Sequence, residues 1–266
     1  MFAEALKYLS NPCKSEFRKL GYLHEAIALE ARYRRHYVQW DGHIQHCHEL
    51  IELAVAQCES HRKLIILGSG ILAEIPLESL SQRFAAVVLV DVVHLHSVRK
   101  RIANLANVKL IEADICGLST DVLKLNKRSK SLPEPVAVIP SLDAEVDLII
   151  SANLLSQIYI GPLNAAVARS SFSDDVYISW CQTIINAHMQ VLLDSGKRVC
   201  LYSDVLHEEK NAKGDILHTE DVMFAVKLPD SAWHWEWSLA PLGEISRNYA
   251  VTADVVGFIN FPLPMY

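Results

Sequence analysis

A chain of 266 residues is long enough for one large domain, or a domain with an elaboration, built around a single sizeable core. Its composition, 51% apolar and 21% charged, excludes the low-hydrophobicity signature of disorder. A formal net charge of -6 gives no overall attraction to a phosphate backbone, so nucleic-acid binding would need a local basic patch, and the best run, Arg32 to Arg35, is short.

The opening residues, Met1 to Tyr8, carry Glu4 and Lys7 and lack the long apolar core of a signal peptide, and no stretch reaches the roughly 18 apolar residues of a membrane span. Six scattered cysteines form no C-x-x-C pair, and several sit in apolar runs where a thiol packs as a small hydrophobe. A reducing compartment, the cytoplasm, is the expectation. Residues 1–60 read as two or three helices: Leu20, Leu23 and Ile27, then Leu50, Leu53 and Ala54, recur at helical spacing, with breaks expected at Asn11-Pro12 and Asp41-Gly42.

The period changes at Lys63. Leu64 to Leu67 is a continuous apolar run ending in Gly68-Ser69-Gly70, which suits a strand buried on both faces of a parallel sheet. Three more such runs come after it: Ala86 to Val90, closed by Asp91; Val108 to Ile111, closed by Glu112-Ala113-Asp114; and Val146 to Ile150, closed by Ser151-Ala152-Asn153. Segments long enough for crossover helices, such as Ser97 to Leu105, separate them, so residues 61–266 are predicted to be a doubly wound α/β domain with right-handed crossovers. Lys124 to Pro140 reads as a surface loop. Ser173 is placed to cap a helix running to Leu193, Gly196 ends it, and Arg198 to Tyr202 supplies a fifth strand. Trp233 to Ala240 and valine-rich Asn248 to Ile259, joined through Gly243, predict a closing antiparallel hairpin in which alternate tryptophans pack.

Ligands of open α/β sheets bind beyond the carboxyl ends of the strands, where glycines let a ligand approach the backbone. Gly68, Ser69 and Gly70 occupy that place, although a tight turn alone also asks for glycine. Asp91 follows Gly70 by 21 residues, close to the spacing at which a carboxylate reaches ribose hydroxyls; its competing role is a helix cap near His94. Asp114, followed by Ile115, could accept from an adenine amino group while Ile115 packs on the ring, or serve as a turn residue.

Together, Leu64-Ile65-Ile66-Leu67-Gly68-Ser69-Gly70, Leu89-Val90-Asp91, Glu112-Ala113-Asp114 and Asp147-Leu148-Ile149-Ile150-Ser151-Ala152-Asn153 resemble the successive strand-end motifs of class I S-adenosylmethionine-dependent methyltransferases. The resemblance spans about residues 60 to 260. It implies a Rossmann-like, mostly parallel seven-stranded sheet with a C-terminal antiparallel hairpin, and an N-terminal helical extension closing over an acceptor. It also implies S-adenosylmethionine as cofactor, held by Gly68, Ser69, Gly70, Asp91, Val92, Asp114, Ile115 and Ser151. Ile66 stands where the family commonly has an acidic residue and Leu72 where it has a third glycine; Glu74, expected on the following helix, is the substitute carboxylate.

Methyl transfer needs mainly alignment and exclusion of water, so a catalytic signature can be thin. Asn153 could position an acceptor group or cap a helix. Tyr37, Trp40 and His43, at i, i+3 and i+6, could line an acceptor pocket with His43 as base, or could be core. The acidic balance and an aromatic-lined lid favour a small-molecule acceptor over nucleic acid.

Other readings stand beside this one. Gly68 to Ala73 also fits the dinucleotide fingerprint G-x-G-x-x-G/A of an NAD-dependent oxidoreductase, although sixty helical residues precede it and no Tyr-x-x-x-Lys pair occurs. A non-catalytic module that keeps the fold is a second alternative. Zinc at His43, His46, Cys47 and His48 lacks a partnered cluster downstream, and no metal is expected.

Overall fold

The strands alternate strictly between two cores, which is why their sequences read as unbroken apolar runs. In β1 (Lys63–Leu67), Leu64 and Ile66 face one core while Ile65 and Leu67 face the other, and all four are fully buried. In β2 (Ala86–Asp91), Val87 and Leu89 divide from Val88 and Val90 in the same way. The computed structural model describes residues 2–231 and 233–262; Met1, at the start of the predicted helical region, Ala232, just before the predicted closing hairpin, and the final residues 263–266 lie outside the described residues.

With β3 (Val108–Glu112), β4 (Val146–Ala152), β5 (Arg198–Lys210), β6 (Ile216–Asp221), β7 (Trp233–Ala240) and β8 (Ala250–Phe258), the strands form one sheet in the order β3-β2-β1-β4-β5-β8-β7. β1 to β5 are mutually parallel, and β8 runs antiparallel to both β5 and β7. This is the Rossmann-like, mostly parallel sheet with a closing antiparallel hairpin expected from the sequence. Register brings the loops together: Leu67 lies opposite Val90 and Ser151, so the turns after β1, β2 and β4 emerge on one rim.

Among the described residues the sheet has eight strands where seven were expected. β5 does not stop at Tyr202 but continues to Lys210, turns through Asn211 to Asp215 and returns as β6, antiparallel to β5. The added ribbon is polar, and every residue of β6 is exposed, so it leaves no apolar alternation to read.

Three helices precede the sheet, α1 (Phe2–Ser10), α2 (Ser15–Lys19) and α3 (Tyr22–Ala56), with the expected break at Asn11-Pro12. The expected break at Asp41-Gly42 is absent, since one glycine costs only about 1 kcal/mol inside a helix. α3 instead kinks at His36, whose φ of -124° and ψ of 22° are not helical. There the carboxylate of Glu244, in the β7–β8 connection, accepts from both nitrogens of the Arg35 fork and lies 2.8 Å from His36 Nε2. The Arg35 bond, with a further contribution from His36, holds the Glu244 carboxyl at about 2 against the opposing effect of burial. Replacing Glu244 with alanine should accelerate amide hydrogen exchange in residues 22–36 by about fivefold, the equivalent of about 1 kcal/mol of ion-pair network, while exchange in β1 stays unchanged.

Beyond the kink, Leu50, Ile51, Ala54 and Val55 are fully buried in the core shared with β1 and β4, together with α4 (Leu77–Arg83) and α5 (His96–Ile102). α6 (Ser119–Val122), α7 (Ile160–Arg169) and α8 (Asp174–Asp194) cover the opposite face. α8 buries His188 completely, 3.0 Å from Ser151 Oγ, and burial pushes its imidazole down to about 4. The unfolded chain takes up that proton near the ordinary value of about 6.5 and the folded chain only near 4, so stability is complete above about pH 6.5 and falls as the pH drops towards 4. The expected loss is on the order of 3 kcal/mol, measured by urea unfolding between these limits, and His188→Gln should flatten that slope.

Candidate functional site

A cavity of about 510 Å³ opens at the rim where the turns after β1, β2, β3 and β4 converge, with the outer part of β5 as a wall and the start of α3 as a roof. Gly68, Ser69 and Gly70 form its floor. Gly68 has φ +75°, and a Cβ there would stand 2.6 Å from Leu154 Cγ and 2.8 Å from the Ala152 carbonyl; Gly70 has φ +50° and faces open space. Leu72, at the position of the family's third glycine, also takes the left-handed conformation, with φ 64°, and buries its side chain in the core. No long helix follows this turn. α4 begins only at Leu77, so Glu74 lies in the loop before it and not on a helix as expected.

Asp91 ends β2 and accepts from Gly70 N–H at 2.7 Å with Oδ2 and from Val92 N–H at 2.7 Å with Oδ1. It is not a helix cap, because α5 starts at His96 with Leu95 before it. Val93 N–H adds a longer bond to Oδ1 at 3.4 Å; each carboxylate oxygen offers about two lone-pair sites, so one on Oδ2 is left for a ligand. Asp114 is more heavily used: Oδ1 accepts from the Cys116 and Gly117 amides and the Cys116 thiol, and Oδ2 from Ser119 N–H at 2.6 Å. It is a turn residue that still lines the cavity beside Ile115, with one site left on Oδ2. Val92 and Glu74 also line the cavity, whereas Ser151 does not: its side chain turns into the core to meet His188.

Asn153, at φ 49°, uses Oδ1 to accept from Asp204 N–H at 2.9 Å, while its buried Nδ2 has no partner among the described residues. Ser69 Oγ, buried on the glycine turn, likewise has none. Both residues line the cavity, and an unmatched buried polar group there is what a ligand would satisfy. Sequence reasoning missed the neighbours of Asn153. Asp204 accepts from Ser156 Oγ and from His207 Nε2 at 2.5 Å, and all three residues line the same cavity. The signal was in the sequence: the apolar run Val199 to Tyr202 is closed by Ser203-Asp204, much as Ala86 to Val90 is closed by Asp91.

The aromatic stripe separates. Along a helix, steps of three residues precess, so Tyr37, Trp40 and His43 spread around α3. Tyr37 is 60% exposed and away from the cavity, while Trp40 is buried, lines it and donates from Nε1 to the Leu239 carbonyl at 3.2 Å. His43 is buried behind the wall, stacked on Trp237 at 4.1 Å between ring centroids. Its Nδ1 accepts from Trp235 Nε1 at 3.0 Å, so the proton sits on Nε2, 3.3 Å from Glu74 Oε1. With neither nitrogen free and no access to the cavity, His43 cannot be the base the sequence suggested. His43, Cys47 and Glu74 do lie close enough to ligate a metal ion, but Nε2 bears the proton that ligation would have to displace, and burial next to Glu74 keeps the Cys47 thiol protonated. His48 points elsewhere, to the Ala73 carbonyl at 3.2 Å.

No protein-family profile matches the chain, and no curated protein does. Among solved structures, the N-methyltransferase NodS of Bradyrhizobium japonicum in complex with S-adenosyl-L-homocysteine aligns at 12% identity, over 78% of this chain and 83% of that one, with a TM-score of 0.35. A DhpI–SAM–HEP complex aligns at 11% identity over 91% and 99%, with a TM-score of 0.39. The 1,6-didemethyltoxoflavin-N1-methyltransferase of Burkholderia thailandensis aligns at 9% identity over 92% and 91%, also with a TM-score of 0.39.

Proposed function

We propose that the protein is an S-adenosylmethionine-dependent methyltransferase acting on a small molecule. The observation that carries this is the character of the glycine turn. Dinucleotide sites place a helix N-terminus against the pyrophosphate, but here Gly68 to Gly70 lead into a loop, and α4 starts at Leu77. The cavity is lined instead by the carboxylates of Glu25, Glu74, Asp91, Asp114 and Asp204, against the single guanidinium of Arg32 among the described residues. Such a lining repels a pyrophosphate and attracts a ligand bearing sulfonium and ammonium charges.

When bound, S-adenosylmethionine supplies a methyl group on a positively charged sulfur. The chain's own residues suit such a ligand. Asp91, already oriented by Gly70, Val92 and Val93, keeps a lone pair on Oδ2 for a ribose hydroxyl, and Asp114 keeps one for an adenine amino group beside Ile115. Glu74 supplies a carboxylate for the ammonium in place of the acid missing at Ile66. The roof from Leu20 to Arg32 and Trp40 excludes water and limits the acceptor to a small molecule. All six cysteines are free thiols, which supports a cytoplasmic setting. No helix among the described residues is long and apolar enough to cross a membrane.

Incubated with S-adenosylmethionine carrying a labelled methyl group and a mixture of small phenols, amines and thiols, the protein should release S-adenosylhomocysteine and a labelled small product. Binding of S-adenosylmethionine with no acceptor ever labelled would instead identify a non-catalytic module.

A further inference from the structure

We propose that His207, oriented by Asp204, is the general base of this site and that the acceptor it serves is a phenolic hydroxyl; this rests on the methyltransferase reading above. The local backbone builds the pair. β5 bulges between Asp204 and Leu206, and the Asp204 amide donates to Asn153 Oδ1 at 2.9 Å. Ser156 Oγ donates to Asp204 Oδ1, and His207 Nε2–H donates to Oδ2 at 2.5 Å, so each carboxylate oxygen is held by its own donor while Asn153 fixes the backbone. A carboxylate accepting from Nε2–H sets the tautomer and leaves the Nδ1 lone pair free. The imidazole lines the cavity and its side chain is 22% exposed, which gives a proton taken up there a route to solvent. Glu220 stands opposite on β6 and Ala253 opposite on β8.

The chemistry of the acceptor is set by what surrounds this base. Trp40, Trp237 and Tyr202 line the cavity, a setting for a flat ring. A phenol ionises near 10 and an imidazole near 6.5, a gap that proton transfer coupled to attack can bridge, whereas an aliphatic hydroxyl is far less acidic. An ammonium acceptor would need an accessible carboxylate at this end, and the Asp204 side chain is buried, with Ser156 and His207 already donating to it. In the step itself the phenolic O–H bond breaks and its proton passes to His207 Nδ1. The oxygen lone pair forms the new bond to the methyl carbon as that carbon's bond to sulfur breaks, and sulfur keeps the electron pair as a neutral thioether. His207 then returns its proton to solvent.

4-Nitrophenol tests this without turnover, because its phenolate absorbs visible light and the phenol does not. With the protein saturated in S-adenosylhomocysteine, and at a pH below the probe's own ionisation, the bound probe should be at least about tenfold more ionised than the free probe. In His207→Gln the probe should still bind, but its ionisation should return to within about twofold of the free value. Asp204→Asn should weaken the effect in the same direction. A probe that does not bind, that binds protonated, or that is ionised equally by His207→Gln overturns the proposal. Calorimetric binding of S-adenosylhomocysteine to the same samples reports separately on the nucleoside site, so failure of the base assignment and failure of the methyltransferase reading give different results.

Discussion

Replacing Asp91 with alanine should lower the affinity for S-adenosylhomocysteine by roughly ten- to a hundredfold while the protein still melts cooperatively. Two consequences of one change add here. The carboxylate is the acceptor for Gly70 N–H at 2.7 Å, so its loss frees the glycine turn, and the Oδ2 lone pair left for the ribose disappears with it. Charge-assisted hydrogen bonds are worth about 1.5 to 3 kcal/mol each, and the turn's remaining bonds, Gly68 and Ser69 N–H to the Val90 carbonyl at 2.9 and 3.2 Å, do not involve Asp91 and should keep the fold. Asp91→Asn should recover little, because its amide can accept with one end only while Gly70 and Val92 offer donors to both. Calorimetry on the two variants checks this, and affinity unchanged in Asp91→Ala removes the residue from the site.

Gly68→Ala should be the most destabilising single change at the rim, at about 3 kcal/mol, seen as a melting temperature lower by roughly 6 to 12 °C. The φ of +75° already disfavours any side chain, and the added methyl meets Leu154 at 2.6 Å and the Ala152 carbonyl at 2.8 Å. The carbonyl belongs to β4 and cannot give way without disturbing the sheet. Gly70→Ala is the matched control: its Cβ meets nothing nearer than the Gly68 carbonyl at 3.9 Å, so it should cost only about 1 kcal/mol of left-handed strain. Because that methyl would enter the ligand's space, Gly70→Ala should lose binding with little loss of stability. The opposite ranking of the two variants would mean that Gly70, and not Gly68, is the glycine pressed against β4.

The parallel half of the sheet was legible because each strand is buried on both faces, so β1, β2 and β4 announce themselves as continuous apolar runs ended by Gly68, Asp91 and Asn153. The cofactor side came with them, since it is built from strand ends. Ser151 was misplaced because it still lies within β4, where its side chain meets His188 in the core, whereas Asn153 lies past the strand with φ 49°. The β5–β6 ribbon was invisible because β6 is exposed throughout and the outer half of β5 is mostly polar, and with it went Asp204 and His207. The α3 stripe misled because spacing alone cannot say which partner a helix face meets; Trp235 and Trp237, nearly two hundred residues later, decide that His43 is structural. Likewise, the kink at His36 depends on Glu244, a contact across 208 residues that no local pattern records.

A glycine turn ringed by carboxylates should receive a cationic nucleoside and not a dinucleotide. A calorimetric titration of the unmodified protein with S-adenosylmethionine and S-adenosylhomocysteine, run beside NAD and NADP, tests this most directly. Saturable binding of the adenosyl ligands alone, with a gain of about 2.7 kcal/mol in stability at a hundred times the dissociation constant, is the predicted result. Binding of NAD or NADP in their place would contradict it, and would assign the turn to an oxidoreductase.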